Sequence, residues 1–268
     1  YRRFSWRDMA SVFRRCDVVT APTPLAVESM RANGFDFPMH ALSNGIDAAQ
    51  YDLKPGEVLP PRDRPTVLFV GRLDPEKHID VLLRAVASIA DRSDVGVEIV
   101  GQGGEYDRLA ELAQQLGIAD RTVFRGFVSD EALRVAYLRA DAFCQPGTAE
   151  LQSLVSLEAM AASSPVLLAD ARALPHLVDE GVNGWLFPPG DHEQLGRLLL
   201  RLLELPEDQR REMGAASRRM VAEHSFSATI DVFEQLYRGV DPDLLLGSWP
   251  QTGPLPIVPP ASGPGSGD

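Results

Sequence analysis

The sequence predicts a doubly wound α/β protein built on a parallel sheet. From Thr66 onward, short apolar runs alternate with longer segments whose apolar residues recur at helical spacing. Most of these runs are solidly hydrophobic, the pattern of strands covered on both faces. Their spacing suits repeated strand–helix units. The predicted strands are Val67–Val70, Val97–Val100, Thr122–Phe124, Ala142–Cys144, Val166–Leu168 and Trp185–Phe187. The predicted helices between and after them are Ile79–Asp91, Tyr106–Leu116, Glu131–Leu138, Leu151–Ala162, Pro175–Asp179, Glu193–Leu205 and Pro206–Glu223.

A partial second α/β domain precedes this block. Residues 1–16 read as a helix, Asp17–Thr20 as a strand, and Pro24–Asn33 as a helix closing at Gly34. Met39–Leu42 is a further short strand, and Ser43–Asn44–Gly45 a turn. Lys54–Pro65 holds four prolines and reads as an exposed connector. These features predict one domain ending within residues 1–56, a sheet domain over 57–225 and a last amphipathic helix within 226–245. Residues 246–268 are Pro/Gly/Ser-rich and are expected to be disordered. The chain opens at Tyr1 inside a structured pattern, so it reads as a piece of a longer protein.

Composition narrows the function. With 268 residues, 44% of them hydrophobic and 24% charged, the chain can bury a sizeable core. Its net charge of -12 argues against general nucleic-acid binding, which draws affinity from neutralised phosphates. Two cysteines, Cys16 and Cys144, are too few for a disulfide framework or a zinc site, and point to the cytoplasm. The uncharged stretch from Leu244 to Gly267 is broken by six prolines, so no run approaches a membrane span. Residues 1–16 carry five Arg and one Asp among Tyr1, Phe4, Trp6 and Phe13. That segment is either a helix packing its aromatics into its own domain or a peripheral membrane contact.

Three loops hold residues able to do chemistry. Gly71–Lys77 directly follows the first strand, where open α/β sheets bind ligands. There Arg72 and Lys77 suit a diphosphate, one as a fork and one as a point charge, with Gly71 allowing close approach. Alternatively Arg72 pairs with Asp74 or Glu76 and Lys77 is solvated. Gly101–Gln102–Gly103–Gly104 is either a phosphate-admitting turn or, more simply, a tight structural one. Glu150 lies at the mouth of the strand ending at Cys144, with Glu158 eight residues on. If Leu151 opens a helix, that spacing spans about 12 Å, the separation of the ends of a nucleotide-diphosphate sugar. The other reading leaves both as solvated surface acids.

Together these elements resemble the C-terminal half of a family 4 glycosyltransferase, a retaining GT-B enzyme. The residues that carry the likeness are Val70–Gly71–Arg72–Leu73 with Glu76–Lys77, Ile99–Val100–Gly101–Gln102–Gly103 and Phe124–Arg125–Gly126–Phe127–Val128. Glu150, seven residues, then Glu158–Ala159–Met160–Ala161 form the Glu-x7-Glu signature, with Gly181–Val182–Asn183–Gly184–Trp185 as its sequel. Asp17–Thr23 and Ser43–Asp47 resemble the end of the acceptor-side domain. The likeness covers residues from about 10 to 238.

The resemblance implies a Rossmann-like donor domain and transfer of a hexose from a UDP- or GDP-sugar to an acceptor hydroxyl, without a metal or other cofactor. Arg72 and Lys77 would hold the diphosphate and stabilise the leaving nucleotide. Glu150 would contact sugar hydroxyls and Glu158 the ribose, while Phe127–Val128 would border the base and Ser153–Leu154 meet phosphate and sugar. The family's catalytic His would lie in a preceding domain, since none of His40, His78, His176, His192 and His224 fits that role; His78 reads as a structural cap. The sequence departs at Gln152–Ser153–Leu154, where many members have Phe–Gly–Leu, and at Ala162–Ser163–Ser164–Pro165, which lacks a usual glycine. Gln152 and the basic opening helix suggest a glycolipid or cell-envelope acceptor. A sugar-nucleotide epimerase of the same fold and a non-catalytic nucleotide-sugar-binding piece are the competing readings.

Overall fold

The computed structural model describes residues Arg2–Leu246, and the disorder expected for the tail from residue 247 lies outside them. The first elements are α1 (Arg2–Phe13), β1 (Thr20–Ala21), α2 (Pro24–Ala32) and β2 (His40–Ala41). Thr23 caps α2 by accepting from the Ala26 amide, and Pro24 fits the first turn, where no amide partner is lost. Six strands follow: β3 (Thr66–Val70), β4 (Gly96–Val100), β5 (Thr122–Gly126), β6 (Ala142–Gln145), β7 (Val166–Ala169) and β8 (Gly184–Phe187). Interleaved with them are α3 (Ile79–Ser88), α4 (Tyr106–Gln115), α5 (Asp130–Arg139) and α6 (Leu154–Ala161). The described chain closes with α7 (His192–Glu204), α8 (Glu207–Val221), α9 (Phe226–Tyr237) and α10 (Pro242–Leu246).

Strands β3–β8 form one parallel sheet in the order β5-β4-β3-β6-β7-β8. Every predicted run in this region is a strand; β3, β6 and β7 are buried almost residue for residue, as their solid apolar runs require, while β5 at the sheet edge is not. Two expectations need correction. Leu151–Gln152 is not helical: α6 begins at Leu154, with Ser153 as its cap. Only Leu154–Glu158 of the Glu150–Glu158 stretch is therefore helix, and the 12 Å estimate does not apply. Pro175–Asp179 is only a short 3₁₀ turn over Leu174–Leu177.

The chain forms two units. One comprises the residues up to Gly45 with those from Glu223 onward; the other is Ile46–Ala222. In the first, Trp6 and Phe13 pack their rings against buried Phe35. These aromatics of α1 are thus committed to their own unit's core, which favours packing over lipid contact. Also in this unit, Thr229 of α9 donates to the Ser43 carbonyl, and Val232 joins Leu42, Leu245 and Leu246. Asp241 begins α10 by accepting from the Asp243 amide, so Asp241–Pro242–Asp243 is a helix start.

In the second unit, residues 46–57 are fastened beside the sheet, whereas the sequence put a domain boundary at their far end. Arg134 of α5 is buried, forks onto Glu57 (2.7 Å to each oxygen) and donates to the Gln50 and Asp52 carbonyls. Among the described residues no helix is long and apolar enough to cross a membrane.

Candidate functional site

The strand order reverses direction between β3 and β6, and the loops after these strands border the crevice where open α/β sheets bind ligands. The loop after β3 is shaped by the one after β4. The Gly71 amide donates to the Val100 carbonyl (3.0 Å), Leu73 to Gln102 (2.9 Å) and Glu105 to Leu73 (2.9 Å). A Cβ at Gly101 or Gly103 would collide with the Gly71 or Leu73 carbonyl. The glycine-rich turn is therefore a structural cradle, the simpler of its two readings, and it holds the segment that carries Arg72 and Lys77.

Those two cations are placed very differently. The Arg72 side chain is 72% exposed and pairs with Asp74 and, at 3.3 Å, Glu76. Lys77 is not solvated. Its side chain is 17% exposed and pairs with Glu150, itself 13% exposed, across the two crevice loops. The same loops are stitched by the Thr148 amide donating to the Glu76 carbonyl (3.3 Å) and by His78 Nε2 against Thr148 Oγ1 (3.1 Å). His78 thus occupies the residue before α3 without capping it; its ring holds the opposite loop. A third loop contributes the Ala173 amide, which donates to the Glu150 carbonyl.

Ser153 caps α6: its hydroxyl accepts from the Ser156 amide and lies 2.7 Å from the Ser156 hydroxyl. Its φ of -100° dispenses with glycine, so the side chain introduces no strain there. The missing glycine matters instead at Ser163, which adopts φ +60°. Leu154 is exposed at the helix start, as is Phe127 on the loop after β5, whereas Val128 is half-buried.

Glu158 is not a solvated surface acid. It accepts from the Tyr137 hydroxyl at 2.6 Å, and burial raises its pKa although hydrogen bonds from Tyr137 and Tyr51 oppose the shift. The sequence reading missed Thr148, Tyr51 and Tyr137. Nothing in local spacing marks them, since each partner lies 21 or more residues away or on another element.

A half-buried carboxylate–ammonium pair at the switch point, beside a surface guanidinium and a helix start, is a set of groups suited to an anionic sugar ligand. The family model for glycosyl transferases group 1 matches residues 51–220. The chain belongs to this family. An uncharacterized glycosyltransferase of Methanocaldococcus jannaschii is 32% identical over 189 residues, covering 66% of this chain and 48% of the relative. D-inositol 3-phosphate glycosyltransferase of Mycolicibacterium smegmatis is 34% identical over 184 residues, covering 66% and 41%. The chain thus spans less than half the length of these curated relatives. Anabaena HepE, crystallised with UDP and glucose, superposes with a TM-score of 0.80 at 22% identity, covering 90% of this chain and 68% of that one. The fold of this member of the group 1 family is accordingly of the GT-B, Rossmann-like type.

Proposed function

We propose that this chain is the donor-binding half of a retaining glycosyltransferase that moves a hexose from a UDP- or GDP-linked donor to an acceptor hydroxyl. The observation that carries the reading is the meeting of Lys77 and Glu150 at the switch point. When donor enters, its diphosphate takes Arg72 from Asp74 and Glu76 and shares Lys77 with Glu150. Both cations then oppose the charge that builds on the departing nucleotide. Glu150, held by Lys77 and by the loop after β7, orients the sugar through its hydroxyls. The acceptor attacks the anomeric carbon from the face the nucleotide leaves, and the leaving phosphate takes the acceptor's proton. Glu158 binds the ribose, Phe127 and Val128 border the base, and the start of α6 at Ser153–Leu154 favours the phosphate.

HepE's complex with UDP and glucose supports the donor class. The relative named for D-inositol 3-phosphate supports a hydroxyl acceptor; a glycolipid or cell-envelope glycan is the acceptor proposed here. The proposed setting is the cytoplasm, and Cys16 and Cys144 are free thiols. Calorimetric titration with UDP and with GDP, in EDTA, beside Arg72→Ala, tests the donor site. The expected result is binding of one nucleotide, lost in the variant. A folded chain that binds neither, or an Arg72→Ala variant that binds as well as the parent, would refute the assignment.

A further inference from the structure

Glu158 is partly buried, and its carboxylate faces tyrosine hydroxyls from two other elements. Tyr137, on α5, is fully buried and donates to Glu158 Oε2 at 2.6 Å. Tyr51, in the turn over Ala48–Tyr51, reaches the same carboxylate, and its ring stands edge-on to Tyr137 with centroids 5.7 Å apart. Tyr137 in turn packs against Phe143 of β6. The tyrosine pair is therefore packed between the sheet and the carboxylate.

A carboxylate has about four acceptor positions on two oxygens. The Tyr137 bond occupies one position on Oε2. Fixing one oxygen also fixes the plane of the group, and with it the direction of the remaining lone pairs. A free glutamate on a helix surface would sample several rotamers, and ordering it on binding would cost affinity.

We propose that Tyr137 and Tyr51 are positioning residues that lock Glu158 in the orientation in which it accepts from the ribose hydroxyls of the donor nucleotide. This rests on the reading of Glu158 as the ribose ligand. It adds that ribose recognition is set by a tyrosine pair outside the Glu-x7-Glu segment, one member of which lies in the strap of residues 46–57. The locked carboxylate favours ribonucleotides over 2′-deoxyribonucleotides, because only the former supply both donors.

The test compares affinities for UDP and 2′-deoxy-UDP, or GDP and 2′-deoxy-GDP if the guanine nucleotide binds more tightly. The parent chain and the Glu158→Gln, Tyr137→Phe and Tyr51→Phe variants are titrated, with thermal unfolding measured alongside. The parent should prefer the ribonucleotide by about tenfold, the scale of one hydrogen bond to a charged group. Glu158→Gln and both Phe variants should bring that ratio towards one, with affinity for the deoxy ligand little changed. Tyr51→Phe, on a half-exposed residue, keeps the test open if Tyr137→Phe fails to fold. Loss of discrimination in Glu158→Gln but not in the Phe variants would overturn the positioning role and leave the ribose assignment standing. A parent that does not discriminate, or binds no nucleotide, would overturn both.

Discussion

Arg72 and Lys77 carry the same charge on one short loop, but their surroundings give them different consequences. Arg72 is mostly solvated, so its ion pairs contribute at most about 0.5 kcal/mol to folding. Arg72→Ala should leave unfolding by denaturant nearly unchanged while weakening nucleotide-diphosphate binding by about 1.5–3 kcal/mol. Lys77→Ala strands the Glu150 carboxylate inside the crevice and should destabilise by about 1–3 kcal/mol. Removing Glu150 as well should recover part of that loss, a non-additivity that a double-mutant cycle measures directly. Glu150→Ala alone should damage transfer more than nucleotide binding; intact turnover in the complete enzyme would end its role. Glu158 gives a pH signature. Its pKa is raised by burial, so the charged form costs stability above that folded-state value, and the cost is relieved as pH falls towards the ordinary 4.5. The melting temperature of Glu158→Gln relative to the parent should therefore be highest above that folded-state value and decline as pH falls towards 4.5.

At the scale of elements, the loops after β3 and β4 act as one piece. Gly101→Ala or Gly103→Ala must push the loop bearing Arg72 and Lys77 outward, because the new methyl meets backbone rather than a movable side chain. Either should reduce nucleotide affinity at least tenfold and destabilise the sheet by about 1–3 kcal/mol, the usual range for overpacking. Calorimetry paired with denaturant unfolding separates the two effects. The turn after α6 offers the opposite change. Ser163 sits at φ +60°, where a side chain costs about 1 kcal/mol, so Ser163→Gly should stabilise the protein modestly. A fall in melting temperature would show that the Ser163 side chain contributes more than its strain. Here the sequence departure flagged near Pro165 is a real local cost, while the one at Ser153 is a working helix cap.

Across the Ile46–Ala222 unit, Arg134 and Arg218 clasp residues 48–57 from two different helices. Arg218 of α8 donates to the Ala48 carbonyl (2.6 Å) and pairs with Asp52 (2.7 Å), as Arg134 does with Glu57. Arg134→Ala should lower the melting temperature, and Arg134→Lys should restore only part of it, since an ammonium cannot fork across both Glu57 oxygens. The Arg134 partnership holds the Glu57 carboxyl down to about 2. That contribution to stability is present above the ordinary 4.5 and lost as pH falls towards about 2, which acid unfolding of the parent and Arg134→Ala would reveal. Because Tyr51 lies within this strap, loosening it should also erode ribose discrimination. The strap was hidden in the sequence: its far end falls in the proline-rich Lys54–Pro65 stretch that reads as an exposed connector, and the arginines that fasten it lie 77 to 170 residues away.

What the amino-acid order determined by itself was every element whose cause is local. Short apolar runs, most of them solid, became the six parallel strands, amphipathic spacing became α3, α4, α7, α8 and α9, and the ordered motifs placed Gly71, Arg72, Lys77, Glu150 and Glu158 at strand ends or on the following helix. Tertiary structure alone decided which of these groups meet. It turned Lys77 inward onto Glu150, gave Glu158 to two tyrosines, made the Gly101–Gly104 turn a support and bound residues 46–57 to the sheet unit. The reason is physical: periodicity reports which face of an element is apolar, whereas the partner of a buried charge depends on the loops that strand order brings side by side.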